Sequence, residues 1–217
     1  MLGLTLEQEV YRRDAVYKQP NWSFDTITGR YRNNSTGKFL SEKSALQLTE
    51  KSIAAASKEL TTITLNLIEK VIDLATWESS FAKILKKIHV SQFIIGKGGI
   101  KNTTPSDFLV IANTLKAEYS YLHKFASAIY TLQLTENQIK ARAQLYINKS
   151  RLSYWKGKEL STQRTGFTQM KRILAPVLHC QECIEYAKAG WVTIGTLPMP
   201  TEQCTCKSNC KCTVIYQ

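Results

Sequence analysis

The sequence predicts a mainly α-helical protein: a helical body preceded by an extended N-terminal arm and followed by a small Cys-rich segment. Three observations lead there. Apolar residues recur at three-four spacing from residue 43 onward, turn signals crowd residues 1–42, and all six cysteines lie beyond residue 179. The division is therefore residues 1–42, 43–178 and 179–217. A chain with 43% hydrophobic and 21% charged residues has the composition of a folding protein rather than a disordered one. Its 29 Lys and Arg against 17 Asp and Glu leave a net charge of +12. That charge favours phosphate backbones, anionic membranes or acidic protein surfaces without choosing among them.

No apolar run reaches the ~18 residues of a membrane span, and no membrane partner is expected. Residues 1–16 lack the basic-then-apolar order of a secretory signal. Synthesis in the cytoplasm is the expectation, and there thiols stay reduced.

The arm carries two similar turns, DTITGRY (Asp25 to Tyr31) and NNSTGKF (Asn33 to Phe39). Asx side chains bond to nearby backbone and glycine accepts positive φ, so each reads as a tight turn followed by a short extended piece. Aromatic and basic residues alternate through Trp22, Phe24, Arg30, Tyr31, Arg32, Lys38 and Phe39. Two readings stand: small hairpins folded on their own domain, or an arm that docks on a neighbouring subunit. In the second, Trp22, Phe24, Tyr31 and Phe39 are the interface anchors, because aromatics bury large areas with few rotors to fix.

From Glu42 the periodicity is helical. Ile53, Ala56, Leu60, Ile63, Leu67, Leu74, Trp77, Phe81, Ile84 and Ile88 form a seam, with Lys70 as its polar interruption. This predicts a helix, or a broken helix, packed along a partner helix. A second helix is predicted to start at Thr104-Pro105-Ser106-Asp107, with Thr104 as cap and Pro105 in the first turn. Its buried face would use Ala112, Leu115, Tyr119, Leu122, Phe125, Ile129 and Leu132. A third opens on the capping box Thr135 to Gln138 and runs through Ala141, Leu145 and Tyr154. A short helix over residues 166–178 leads into the cysteines, and WVTIG and CTVIY carry strand signals.

IIGKGGIK (Ile94 to Lys101) contains the G-x-x-G of a KH nucleic-acid clamp, and residues 83–101 hold five lysines and no acid. Asn102, Thr103, Thr104 and Pro105 follow where a KH unit needs a helix, so the stretch reads as a flexible interhelical linker. No G-K-[ST] is present to make a P-loop.

Cys180 and Cys183 form a C-x-x-C knuckle; twenty residues later come Cys204 and Cys206, then Cys210 and Cys212. A knuckle supplies two thiolates, and Zn²⁺ takes four ligands in a tetrahedron. Four of the six cysteines would bind one structural zinc, leaving two paired with each other or held for a second metal. Disulfides compete, with fifteen possible pairings. His179 could replace a cysteine, although its position next to Cys180 makes that awkward. So little is apolar here, beyond Trp191, Val192, Ile194 and Leu197, that a metal crosslink would supply the missing stabilisation. No catalytic residue is expected: a catalytic zinc keeps an open position, and His89, His123 and His179 are widely spaced.

The order C-x-x-C, GW-V-x-IG-x-LP-x-P, C-x-C-x-x-NC-x-C resembles the zinc-knuckle-like C-terminal segment of tailed-bacteriophage head-morphogenesis proteins, minor head proteins related to the Mu F family. TPSDFLVIANTLKAEYSYLHKFA and IKARAQLYINKSRLSYW resemble helices of such proteins, and paired TG-[RK]-[YF] turns recur in phage structural proteins. The resemblance is strongest over residues 104–212, and the doubled C-x-C departs from the simplest four-Cys pattern. It implies a non-enzymatic role in the virion, near the portal, head or neck, reached from the host cytoplasm. The implied partners are portal, capsid or neck subunits, in multiple copies or as a homo-oligomer, with non-specific contact to packaged DNA open to the basic surface. A zinc-finger nucleic-acid-binding module is the alternative, distinguished by salt-sensitive affinity.

Overall fold

The computed structural model describes residues 22–217, apart from residues 26 and 29 and the side chains of Phe24 and Glu42. Over them the protein is mainly α. Three short strands, β1 (Trp22–Asp25), β2 (Arg30–Asn33) and β3 (Phe39–Leu40), form an antiparallel meander. Helices α1 (Glu42–Ile68), α2 (Leu74–Gly96), α3 (Asp107–Tyr130), α4 (Glu136–Lys149) and α5 (Arg151–Arg164) follow. The chain closes with β4 (Gln169–Ile173), α6 (Gln181–Lys188), β5 (Val192–Thr193) and β6 (Thr213–Tyr216), the strands ordered β5-β4-β6 and all antiparallel.

Both turns form as their Asx residues predict. Asp25 Oδ1 accepts the Ile27 and Thr28 N–H groups at 3.0 and 3.1 Å. Asn33 Oδ1 accepts those of Ser35 and Thr36 at 2.9 and 3.1 Å, and Gly37 takes φ +68°. The arm itself divides. Residues 1–21 lie outside the described residues, while residues 22–40 fold back as the meander on their own body.

That placement corrects the interface anchors. Trp22 and Tyr31 are 1% and 3% exposed, edge to face at 4.8 Å, in a core with Ile95, Leu152, Tyr154, Trp155, Met170 and Val214. They are spent on the protein's own interior. Phe39 is half-buried beneath the guanidinium groups of Arg30 and Arg32, 4.8 and 4.3 Å from its ring. The side chain of Phe24 lies outside the described residues.

The seam is a broken helix. Asp73 caps α2 by accepting the Thr76 N–H at 2.7 Å, and α1 stops at a Schellman turn with Lys70 at φ +60°. There Val71 N–H reaches Asn66 C=O and Lys70 N–H reaches Leu67 C=O. The two helices pack on each other and on α3 and α4 through Trp77, Phe81, Phe125 and Tyr146. Trp77 lies 5.1 Å from Phe81 and 5.4 Å from Phe125, ring centre to ring centre.

At the start of α3 the Thr104 hydroxyl does not cap. Instead the Asp107 carboxylate reaches back to accept the Thr104 N–H at 2.8 Å. Leu115, Leu122 and Phe125 are buried as expected, whereas Leu132 sits just past the helix at φ +54°, 89% exposed. The Thr135 capping box is present, but the predicted third helix is two, α4 and α5, meeting at Ser150.

Two further expectations fail. Residues 169–173 form β4 instead of a helix. The GKGG stretch joins two helices without a KH clamp, yet it is a packed junction rather than a flexible linker. A Cβ on Gly96 would lie 2.0 Å from the Tyr154 carbonyl oxygen, and one on Gly157 would lie 2.4 Å from that of Phe93. These two glycines let α2 and α5 cross with backbones touching. Gly98, at φ +82°, ends α2 in a Schellman turn, and Gly99, at φ +112°, lies against the Trp22 carbonyl.

Between the glycines Lys97 is 1% exposed, with its Nζ 3.3 Å from Asp107 Oδ2. Arg164 grips the same carboxylate with two bonds of 3.0 and 2.8 Å. Burial pushes the Asp107 carboxyl up, but the Thr104 N–H, Arg164 and Lys97 outweigh it and hold it below the usual range.

Candidate metal centre

The C-terminal sheet sets the site. β4 pairs with β6 in a ladder ending at Ile173↔Thr213, so Leu174 and Cys212 leave it side by side. From Leu174 the chain runs to His179 and Cys180. Cys180 is the N-cap of α6 and Cys183 sits in its first turn. The GW-V stretch returns as β5, and two turns with Thr201 and Lys207 at positive φ then bring Cys204, Cys206 and Cys210 over α6. The 3-10 turn Lys207–Asn209 rests on α4, and Glu182 accepts a hydrogen bond from the Thr205 hydroxyl across the segment.

All six cysteines are free thiols gathered into one cluster, and the six could hold a metal ion. The sulfurs of Cys180, Cys183, Cys204 and Cys206 lie within 4.8 Å of one another, as do those of Cys183, Cys210 and Cys212. Cys206 Sγ is 3.5 Å from Cys180, 3.6 Å from Cys183 and 3.4 Å from Cys204. Metal–sulfur bonds of about 2.3 Å at tetrahedral angles hold sulfurs about 3.8 Å apart. Disulfides come in pairs, whereas here one sulfur has three near neighbours. The chemistry of this donor set fits a tetrahedral cation.

Electrostatics point the same way. Burial is the largest cause that pushes the Cys183, Cys204, Cys206 and Cys212 thiols up, and the charge of Cys210 adds to it in each. Burial also raises Cys180 and Cys210, but backbone N–H groups outweigh it: those of Cys183 and Cys206 for Cys180, and those of Cys212 and Thr201 for Cys210. Clustered thiols resist ionising together unless a cation shares the site, and a bound divalent ion deprotonates its thiol ligands.

Sequence reasoning missed His179 in part. Its adjacency to Cys180 does prevent both from serving one ion easily, but the ring faces the other side of the cluster, with Nδ1 3.6 Å from Cys212 Sγ. It also missed Arg172, whose guanidinium is 1% exposed, bonded through Nη2 to the Pro198 carbonyl and stacked 5.5 Å from the Tyr186 ring. A charged residue in an alternating strand gives no sequence signal of burial. The other two histidines lie away from the cluster: buried His89 meets Ser153 Oγ at 2.8 Å, and exposed His123 meets Glu78 at 3.2 Å on the surface.

The chain matches no protein-family model, no curated protein and no solved structure. Among the described residues, no helix is long and apolar enough to cross a membrane.

Proposed function

We propose that this protein is a structural component of a tailed-phage virion, a minor head or portal-proximal protein acting in head assembly through protein–protein contacts. Its C-terminal segment is held by structural zinc. The carrying observation is the C-terminal segment: a knuckle at the start of α6 meets a terminal N-C-K-C just before β6, in one thiol cluster. That is the arrangement the resemblance to head-morphogenesis proteins implies, and thiol-rich ligation without an open position suits a structural zinc.

Exposed apolar side chains support an assembly role. Val177, Leu178 and Trp191 flank the cluster at 53%, 102% and 37% exposure, and Tyr130 and Leu132 stand at the end of α3 at 80% and 89%. Such side chains fit surfaces covered by neighbouring subunits. The net charge of +12 suits acidic capsid surfaces or packaged DNA.

The test is quantitative mass spectrometry of purified particles, alongside a nonsense mutant of this chain. The expected result is multiple copies per particle and loss of DNA-filled heads in the mutant. Normal particles lacking the chain would reject the proposal. Tight, salt-sensitive DNA affinity of the isolated protein would move the reading to a nucleic-acid-binding module.

A further inference from the structure

The six thiols exceed one tetrahedral site, and their arrangement says what the surplus does. We propose that the cluster is a binuclear centre in which Cys183 bridges two zinc ions, one completed by Cys180, Cys204 and Cys206, the other by Cys210, Cys212 and His179. This inference rests on the zinc reading above and extends it.

Three observations carry it. First, Cys183 is the residue common to both groups of mutually close sulfurs. It is 0% exposed and lies between them, 3.6 Å from Cys206 on one side and 3.7 Å from Cys210 on the other. Two tetrahedra sharing one corner need seven donors, and six cysteines with His179 supply that number.

Second, His179 is prepared as a ligand. Its Nε2 lies 2.7 Å from the Ala175 carbonyl oxygen, which can only accept, so Nε2 carries the proton. Nδ1 is left with a free lone pair, and that is the atom 3.6 Å from Cys212 Sγ. An N–H anchored on a backbone carbonyl is the usual support of a metal-bound imidazole.

Third, the buried Arg172 guanidinium leaves Nε and Nη1 without a hydrogen-bond partner, and Arg172 sits one residue from the ladder end at Ile173↔Thr213, beside Cys212. A buried cation needs a nearby negative charge. A thiolate at Cys212, held by the second zinc, would supply one.

Metal analysis of the full-length protein, purified under reducing conditions with zinc supplied, should find two zinc ions per chain. One ion would overturn the bridge and leave the single staple standing; none would overturn both. Replacing zinc with ¹¹³Cd and recording its NMR spectrum should give two resonances, one shifted by nitrogen ligation. They should be split by coupling through the shared sulfur. Two unsplit resonances would overturn the bridge. His179→Ala should lose one of the two ions with the helical circular dichroism unchanged, and His179→Cys should restore it. Retention of both ions in His179→Ala would remove His179 from the centre.

Discussion

Helices α1–α5 are ordered by large apolar side chains. Trp77, Phe81, Phe125 and Tyr146 fill the bundle, and a second core of Trp22, Tyr154, Trp155 and Met170 joins both sheets to α5. From Cys180 to Cys212 Met199 is the one large buried apolar side chain, and the thiols of Cys183, Cys210 and Cys212 form a separate cluster against Leu174. Apolar burial contributes about 25 cal/mol per Å² removed from water, and a segment with so few large side chains gains little from it. The difference teaches that buried area accounts for the first region, whereas the second gathers six thiols that could hold a metal ion. The two regions meet at β4 and β6, whose Met170 and Val214 belong to the second core while the far end of their ladder adjoins the thiols.

Metal removal is the strongest way to break that comparison. Structural zinc contributes on the order of 10 kcal/mol to segments that fold around it. Chelation, or Cys183→Ser, is expected to make residues 174–217 protease-sensitive while the helical circular dichroism persists. Collapse of the helices on chelation would show instead that the two regions are one cooperative unit.

Within the body, Gly96→Val should come next. Its side chain would collide with the Tyr154 carbonyl, and backbone cannot yield as a side-chain tip can. A loss beyond about 5 kcal/mol, or no folded protein, is expected in denaturant unfolding. A mild effect would mean that α2 and α5 can separate at this crossing.

Asp107→Ala would leave Lys97 buried without its anion, a loss of about 3–5 kcal/mol. Trp22→Ala should cost a similar ~3–5 kcal/mol by cavity formation, a direct check that the meander belongs to the core and not to a partner. Unchanged stability in Trp22→Ala would return Trp22 to the list of interface anchors.

The most gradual effect is in pH. Burial holds His89 down to about 3 from the usual 6.5. Its folded-state pKa is depressed, and for a base this means the unfolded chain binds the proton first. Stability should therefore fall as pH drops from about 6.5 towards 3, by roughly 1.4 kcal/mol per unit from this residue. His89→Gln should flatten that slope in thermal melts taken across the range. An identical slope in the variant would place the acid sensitivity elsewhere.

Local chemistry was legible in the sequence because it acts over a few residues. The Asx turns at Asp25 and Asn33, the capping box at Thr135, the seam broken at Lys70 and the confinement of all thiols beyond residue 179 could be read without a partner. The mainly α class followed from them. β4 was misread because its inward positions are Met170 and Arg172, so the period of two that marks a strand is masked by a buried guanidinium. Trp22 and Tyr31 looked available for a partner because residues 22–40 have no core alone, and their core comes from α5 and both sheets. GKGG looked loose because the backbone that fills the space beside Gly96 belongs to Tyr154, far along the chain. The sequence supplied the donors, but which thiols meet, that Cys183 stands between two groups and that His179 turns towards Cys212 depend on the β4–β6 register and the turns at Thr201 and Lys207. Spacing limits which groups can meet; the packing of distant segments decides which do.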